Sequence, residues 1–253
     1  MFSRTQYLIT EIGEGCNLTA SHGKCPSADP RRWRAATERG HRKRLDDDTL
    51  VACVVAAYRQ FGFTGLWGTH YYCEPLLYAE RLVHLAQRIR AKVPELRMCL
   101  WTNGLLPADV RDAGRFEKLY WTQYCNQLPL FQAHYDKLVT LTGKFDGRLE
   151  QRIAEGDRSC ARIWTEFILD ARGQHHPCCY DWQGNGSLGN VFDAGGFAEL
   201  VRKWDQCQCA VGGRHMTDYA PASCLSCGFR TAGMTRFDEA AAKRAEEWRL
   251  SQC

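Results

Sequence analysis

The sequence of 253 residues lacks any apolar run long enough to cross a lipid bilayer, which takes about 20 consecutive apolar residues. Its first fifteen residues, MFSRTQYLITEIGEG, contain no apolar core followed by a small-residue cleavage site, which is the pattern of an export signal. Internal repeats and low-complexity linkers are also missing. These absences predict a globular cytoplasmic protein with no membrane partner.

The sequence also has little net charge, because 33 Lys and Arg against 29 Asp and Glu give +4. That balance does not demand a nucleic-acid partner. One exception is residues 31–44, RRWRAATERGHRKR, which are strongly basic and precede three consecutive aspartates at 46–48. Two interpretations stay open: a solvated loop before an acidic helix start, or a contact for a phosphate, carboxylate or acidic peptide. If residues 31–44 bind phosphates, the protein would fit a nucleic-acid-modifying enzyme.

Cysteine, in contrast, is abundant, with 14 copies. Disulfides are disfavoured in a reducing compartment, so paired cysteines there indicate metal. Cys160 and Cys178 form the pattern C-x12-G-x4-C around Gly173, and Cys224 and Cys227 form C-x2-C. These two halves can converge as four thiolates around one iron–sulfur cluster or one zinc ion. The remaining cysteines divide into predicted core residues (Cys53, Cys99, Cys125) and thiols of open role (Cys179, Cys207, Cys209).

Strand and helix patterns alternate along the first half of the chain. Strands are predicted at residues 7–12, 63–67, 97–101 and 118–124, with helices at 46–61 (capped by Asp48), 78–92 and 108–116. This α/β alternation predicts a parallel sheet or barrel with its functional residues at the carboxyl ends of the strands. Most aromatic residues near those ends are predicted to be core, and a few to line a substrate pocket: Trp67, His70, Tyr71, Tyr72, Trp101, Trp121 and Tyr124.

The pattern changes from about residue 160. Residues 163–169 and 175–182 predict a hairpin that turns at 170–173, followed by a glycine-rich exit at 184–189. A short helix is predicted at 197–204 and a charged helical tail at 237–250. His175 and His176 are interpreted as exposed hairpin residues rather than as ligands.

The C-terminal third resembles the SPASM/Twitch extension of radical S-adenosylmethionine (radical SAM) enzymes. The resemblance covers residues 159–230 and rests on the cysteine spacing, on HPCCYD at 176–181 and on LGNV at 188–191. A single later C-x2-C is closer to the shorter Twitch form, as in 2-deoxy-scyllo-inosamine dehydrogenase-like Twitch enzymes. The resemblance implies an auxiliary [4Fe–4S] cluster held by four residues: Cys160, Cys178, Cys224 and Cys227.

The first 125 residues or so resemble the radical SAM partial barrel. The segment CEP at 73–75 stands where the family has Gly-Gly-Glu-Pro, which holds the amino group of SAM. WTNG at 101–104 resembles the end of the third strand, and GCNL at 15–18 resembles the start of the cluster loop. The resemblance implies five residues that bind SAM: Glu74, Pro75, Thr102, Asn103 and Gly104.

The family's hallmark C-x3-C-x2-C is missing. Three thiolates hold a [4Fe–4S] cluster there and leave one iron free to chelate SAM, but after Cys16 the other two positions are Ala20 and Gly23. The candidate ligands that the sequence offers instead are Cys16, His22, Cys25 and Cys73. Three interpretations stay open: an unusual cluster that still binds SAM, a degenerate site on a retained scaffold, or another metal such as zinc. A histidine ligand would raise the cluster potential, which opposes the first, whereas the retained residues 74–75 and 102–104 favour it.

The resemblance implies a partial (β/α)6 TIM-like barrel at residues 1–155, a small hairpin and helix iron–sulfur domain at 156–235, and a helical tail at 236–253. It implies an iron–sulfur oxidoreductase that cleaves SAM reductively and abstracts hydrogen from a small molecule, such as an aminocyclitol, or from a peptide. An electron donor such as flavodoxin or ferredoxin would serve it. The auxiliary cluster would accept an electron from the substrate or be structural only. The alternative is a non-catalytic scaffold or partner protein that keeps one cluster. No catalytic side chain is assigned.

Overall fold

The computed structural model describes residues 2, 5–17, 27, 32, 37, 38, 40, 43–103, 116–122, 137–139, 165–178, 181, 184 and 186–212. Its strands are β1 (Tyr7–Thr10), β2 (Leu66–Gly68), β3 (Met98–Thr102), β4 (Lys118–Thr122), β5 (Lys137–Val139), β6 (Glu166–Leu169) and β7 (His175–His176). Its helices are α1 (Asp47–Arg59), α2 (Ala79–Arg90) and α3 (Gly196–Gly212), with a 3-10 helix at Pro75–Tyr78. No helix in the described ranges is long and apolar enough to cross a membrane.

The seven strands form one sheet in the order β5-β4-β3-β2-β1-β6-β7. Every neighbouring pair is parallel except β6 and β7, which form an antiparallel hairpin. The predicted α/β fold with a mostly parallel sheet is therefore confirmed, while its curvature into a partial barrel stays a prediction. Strand β6 lies beyond residue 155 and pairs with β1, so the sheet draws on both predicted domains, whose boundaries also stay predictions.

The two faces of the sheet differ in what covers them. Leu8, Trp67 and Leu100 belong to the main core, which also includes the buried faces of α1 and α2. A smaller cluster of Leu66 and Cys99 packs with two partly buried aromatic residues, Tyr7 and Trp101. Because successive side chains of a strand point to opposite faces, one face carries the helices and the other is lined by this smaller cluster. Cys53 and Cys99 are buried as predicted, and Cys125 lies outside the described residues.

Helix α1 begins two residues earlier than the predicted cap allows. The Thr49 amide donates to Asp46 Oδ1 at 2.7 Å, and Asp46 has an extended backbone, so Asp46 caps the helix and the prediction of Asp48 is wrong. A capping side chain accepts from the amide two or three residues after it, which fits Asp46. Asp47 and Asp48 instead occupy the first turn, where negative charge stabilises the positive end of the helix dipole.

Strand β2 is shorter than predicted at its start. Phe63 is buried in the core, but its amide donates to the Ala57 carbonyl of α1 at 2.9 Å rather than to a neighbouring strand. The apolar residue that suggested a strand therefore belongs to the turn that leaves the helix. The predicted helix at 108–116 lies mostly outside the described residues, and the predicted tail at 237–250 lies entirely outside them.

The β6–β7 hairpin is buried rather than exposed. His175 and His176 are 0% and 1% exposed, so their interpretation as exposed residues is wrong. The reason for His175 is α3, which packs on the hairpin through Trp204, whereas His176 lies against Tyr71 and Asp170. Trp204 lies with its ring centroid 5.6 Å from Phe167 and 5.2 Å from His175.

The turn of this hairpin falls at the predicted residues. The Gly173 amide donates to the Asp170 carbonyl at 2.9 Å, and Gly173 has a φ of +72°, in the left-handed region that favours glycine. A Cβ atom at Gly173 would lie only 2.5 Å from Val191 Cγ2. Both backbone conformation and packing therefore require the glycine of the C-x12-G-x4-C pattern.

Candidate functional site

Glu74 lies between β2 and the 3-10 helix, with its carboxylate turned toward the carboxyl end of β3. Its Oε1 accepts hydrogen bonds from the Leu76 amide at 3.0 Å and from Thr102 Oγ1 at 2.7 Å. Its Oε2 accepts from the Asn103 amide at 2.8 Å. The residue is 3% exposed. Three neutral donors thus hold a buried carboxylate at the edge of the sheet where function was predicted.

The Glu74 carboxylate has no cationic partner in the part of the chain that the structure describes. Burial raises its pKa, and the three hydrogen bonds only partly offset this. Buried charges in proteins are normally paired, and a carboxylate offers about four acceptor positions. One position therefore remains, and a positively charged donor would fit it best.

The residues around Cys16 lie against this site. The Glu74 amide donates to the Gly15 carbonyl at 2.9 Å, and the Gly15 amide donates to Tyr78 Oη at 3.2 Å. Asn103 Nδ2 donates to Asn17 Oδ1 at 2.7 Å and lies 3.9 Å from Cys16 Sγ. The structure thus brings together the predicted first cluster ligand and the predicted SAM-binding residues of two strand ends.

Cys73 is buried, and its thiol donates to the Thr69 carbonyl at 3.6 Å. Burial raises the pKa of the Cys73 thiol well above its usual range, and the neighbouring carboxylates of Glu11 and Glu74 raise it further. This raised pKa belongs to the metal-free thiol, since a bound metal ion deprotonates a coordinating thiol. The role of Cys73 as a ligand therefore stays a prediction.

Most of the predicted metal ligands are not among the residues that the structure describes. Within those ranges, no three His, Cys, Asp or Glu side chains are grouped so that they could hold a metal ion. Cys178 is described, is half-buried, and its carbonyl accepts from the Asp181 amide at 3.2 Å. Both ligand sets stay predictions, since these predicted site residues are outside the description: His22, Cys25, Gly104, Cys160, Cys224 and Cys227.

Glu11, directly after β1, is a feature that the sequence patterns missed. Its Oε1 accepts from the Tyr72 amide at 2.9 Å, and its Oε2 accepts from the Ala171 amide at 3.2 Å and from the Arg32 guanidinium. The side chains of Glu11 and Arg32 are both 0% exposed. The interpretation of residues 31–44 as a solvated loop is wrong for Arg32, because Glu11 needs a buried counter-charge, although Arg44 is 76% exposed.

His176 is held by two oxygen atoms. Its Nε2 lies 3.0 Å from Asp170 Oδ2, and its Nδ1 lies 2.6 Å from the Asp181 carbonyl oxygen. Both oxygens accept hydrogen bonds, so a doubly protonated imidazolium satisfies both contacts. Burial alone would lower the pKa of His176, but the hydrogen bond and charge of Asp170 outweigh burial and raise it. The hairpin that carries Cys178 thus encloses a buried contact between the His176 imidazole and the Asp170 carboxylate.

His70 follows β2 on the face opposite the helices. Its ring meets Trp101 edge to face with centroids 4.2 Å apart, and its Nδ1 is buried with no hydrogen-bond partner in the structure as described. Burial lowers the pKa of His70 to about 3. The imidazole therefore stays neutral at physiological pH.

This neutral histidine should make the protein sensitive to acid. The unfolded chain binds a proton at His70 below pH 6.5, whereas the folded chain resists it until about pH 3. The contribution of His70 to stability is therefore complete above pH 6.5 and is lost as the pH falls toward 3. Between pH 7 and pH 5 the wild type should lose about 2 kcal/mol more of its unfolding free energy than His70→Phe, as measured by urea denaturation. His84→Phe, at an exposed position of α2, is the control and should match the wild type. Equal losses in His70→Phe and wild type would contradict this assignment.

Comparisons with known proteins give a likeness of fold. No protein-family model and no curated relative matches the sequence. A crystal structure of BtrN in complex with AdoMet and 2-DOIA matches with a TM-score of 0.55 and 18% identity over 80% of this chain and 86% of BtrN. An open conformation of BtrN matches with a TM-score of 0.55 and 17% identity over 88% and 92% of the two chains. These likenesses concern the fold alone, so this chain shares the fold of BtrN.

Proposed function

We propose that this chain is a SAM-binding iron–sulfur oxidoreductase of the radical SAM/Twitch type, acting on a small molecule or a peptide. The observation that carries the proposal is the buried carboxylate of Glu74, which is bound by three neutral donors and has no cation beside it in the described ranges. It lies where the resemblance puts the amino group of SAM.

The chain's own residues would bind and orient SAM. Glu74 would accept a charge-assisted hydrogen bond from the ammonium of SAM at its remaining acceptor position. Thr102 and the Asn103 amide hold the Glu74 carboxylate in one orientation, because each donates to a different oxygen. Pro75 begins the 3-10 helix, and Glu74 caps that helix by accepting from the Leu76 amide. The site is therefore organised before SAM arrives, which limits the entropy lost on binding.

Bound SAM and an iron–sulfur cluster together supply the one-electron chemistry that removes a hydrogen atom from a substrate. Glu74 fits the ammonium of SAM, whereas Ala20 and Gly23 carry no ligating atom for the family's usual cluster. We assign the N-terminal metal to Cys16, His22 and Cys25, with Cys73 as an alternative third ligand. We assign the auxiliary [4Fe–4S] cluster to Cys160, Cys178, Cys224 and Cys227.

A second candidate function is a SAM-binding scaffold that keeps one cluster and performs no radical chemistry. Ala20 and Gly23, at the positions of two of the family's cysteines, favour this scaffold function. A site without three thiolates has lost the family's usual means of holding a reducing cluster. SAM cleavage separates the two candidates. BtrN was crystallised with AdoMet and 2-DOIA, so 2-DOIA is the first substrate to test, with flavodoxin or ferredoxin as the electron donor.

The test begins with protein purified without oxygen and reconstituted with iron and sulfide. Iron and sulfide are counted in the wild type and in a variant with all four auxiliary ligands changed: Cys160→Ala, Cys178→Ala, Cys224→Ala and Cys227→Ala. Electron paramagnetic resonance spectra of the reduced samples are recorded with and without SAM. Cys53→Ala, which changes a buried core cysteine, is the control and should keep the full iron content.

We expect the four-fold variant to keep a second cluster whose spectrum changes when SAM is added, and the wild type to release 5′-deoxyadenosine. His22→Ala and Cys25→Ala should each remove that second cluster. If the four-fold variant loses all iron and no SAM is cleaved, the oxidoreductase assignment is wrong and the scaffold function takes its place.

A further inference from the structure

Glu74 can bind only one of the two charged groups at the amino-acid end of SAM. An amino acid at neutral pH carries an ammonium and a carboxylate on the same carbon atom. The buried carboxylate of Glu74 suits the ammonium, whereas the carboxylate of SAM needs hydrogen-bond donors close by. A complete site therefore requires a donor next to Glu74.

The side chain of Asn17 is such a donor. Asn103 connects it to Glu74, because the Asn103 backbone amide donates to Glu74 Oε2 at 2.8 Å and its Nδ2 donates to Asn17 Oδ1 at 2.7 Å. The Asn17 side chain uses its oxygen for this contact, and its two N–H groups have no acceptor in the ranges that the structure describes. Asn17 is exposed, so a ligand can reach these donors.

The segment that follows β1 (residues 13–17) is held in place by protein groups. The Glu74 amide donates to the Gly15 carbonyl at 2.9 Å, and the Gly15 amide donates to Tyr78 Oη at 3.2 Å. A Cβ atom at Gly13 would lie 2.1 Å from the ring of Tyr78, so only glycine lets the segment pass this close to the ring. Each of these contacts joins two protein atoms, so the position of the segment does not depend on a bound metal.

We propose that the protein itself binds the amino-acid end of SAM, with Glu74 at the ammonium and Asn17 at the carboxylate, and that this binding requires no metal. The ligand, SAM, rests on the proposed function. The role of Asn17 and the independence from metal rest on the contacts of Asn103 and Tyr78. Because both groups are held in place before SAM arrives, little entropy is lost in ordering them.

The test uses the full chain, freed of metal with a chelator, and isothermal titration of three ligands. S-adenosylhomocysteine has the amino-acid end of SAM but no sulfonium charge, and 5′-methylthioadenosine has neither. We expect SAM and S-adenosylhomocysteine to bind the metal-free chain with affinities within about tenfold of each other, and 5′-methylthioadenosine to bind at least about tenfold more weakly. Equal affinities for S-adenosylhomocysteine and 5′-methylthioadenosine would overturn the proposal.

Asn17→Asp isolates the second contact. It keeps an oxygen that accepts from Asn103 Nδ2 but replaces the two N–H donors with a charged oxygen, which repels the carboxylate of the ligand. Binding of S-adenosylhomocysteine to the metal-free chain should weaken at least about tenfold, while binding of 5′-methylthioadenosine should stay at the wild-type level. Wild-type affinity for S-adenosylhomocysteine, or an equal loss for both ligands, contradicts the role of Asn17.

Gln60→Glu is the matched control, because it also changes an exposed amide to a carboxylate. Gln60 lies at the end of α1, before β2 begins, whereas Glu74 follows that strand. This variant should bind both ligands as the wild type does. If it loses S-adenosylhomocysteine as Asn17→Asp does, added negative charge alone explains the loss and Asn17 is not a contact.

The same titration of protein reconstituted with iron and sulfide separates this inference from the proposed function. If SAM binds only after reconstitution, the proposed function stands and metal-independent binding is wrong. If SAM binds neither form, both are wrong.

Discussion

Replacing Glu74 with glutamine should weaken SAM binding about 100-fold, because it removes the charge that would pair with the ammonium of SAM. Hydrogen bonds to charged groups are worth about 1.5–3 kcal/mol, which corresponds to roughly one to two powers of ten in affinity. The upper end applies here, since Glu74 is 3% exposed and solvent screens the contact weakly. The measurement is isothermal titration of SAM into anaerobically reconstituted protein.

The matched control is Glu95→Gln, which neutralises a surface glutamate. Glu95 is 55% exposed and pairs with Arg59. It precedes β3, whereas Glu74 lies at the carboxyl end of that strand, so the Glu95 substitution should leave SAM binding unchanged. Thermal unfolding of both variants checks that each is folded before titration. Wild-type affinity in a folded Glu74→Gln variant would remove the central support of the proposed function.

Replacing Gly173 with alanine should lower the unfolding free energy by about 2–5 kcal/mol, through two separate effects. The left-handed backbone costs an alanine about 1–2 kcal/mol, and crowding in a packed core costs about 1–3 kcal/mol. Gly173 has a φ of +72°, and its added methyl group would lie 2.5 Å from Val191 Cγ2. Urea denaturation at pH 7 measures the difference from the wild type.

Gly40→Ala separates the two effects. Gly40 has a similar φ of +79°, but an added Cβ would meet no atom within 4 Å. This variant should therefore show the backbone cost alone, about 1–2 kcal/mol. If both variants lose the same amount, Val191 moves aside freely and packing is not a reason for glycine in this turn.

Sequence periodicity predicted the regular elements well where one face is apolar over several turns. Helix α1 was predicted at residues 46–61 and observed at Asp47–Arg59, and β3 was predicted at 97–101 and observed at Met98–Thr102. Strand β5 was missed, because its three residues, Lys137–Val139, are too few to show an alternation. Short strands depend on pairing with a neighbour, which a local pattern does not record.

The errors concern contacts between distant parts of the chain. His175 and His176 looked like polar hairpin residues, but both are buried. Trp204 of α3 packs on His175, whereas His176 lies against Tyr71, Asp170 and Asp181. Arg32 was predicted to be exposed like the other arginines of residues 31–44, but it is buried in an ion pair with Glu11. One signal was available: a glutamate directly after an apolar strand must find a buried partner, and the nearest basic segment could supply it.

The candidate site was anticipated in part. The expectation that functional residues gather at the carboxyl ends of parallel strands fits the contacts of Glu74 with Thr102 and Asn103. The hydrogen bond of the Cys73 thiol to Thr69 could not be foreseen, since it depends on how the chain bends after β2. The ligand sets around Cys16 and Cys178 remain predictions.

The strand order has a consequence for the newly synthesised chain. Strand β1 pairs with β2 on one side and with β6 on the other, and β6 is made about 160 residues later. At roughly 5–20 residues per second, the ribosome needs about 10–30 s to deliver it. During that time β1 is an open strand edge in the nascent chain, and Glu11 has not yet met Ala171. Another chain or a chaperone can occupy that edge until translation supplies its partner.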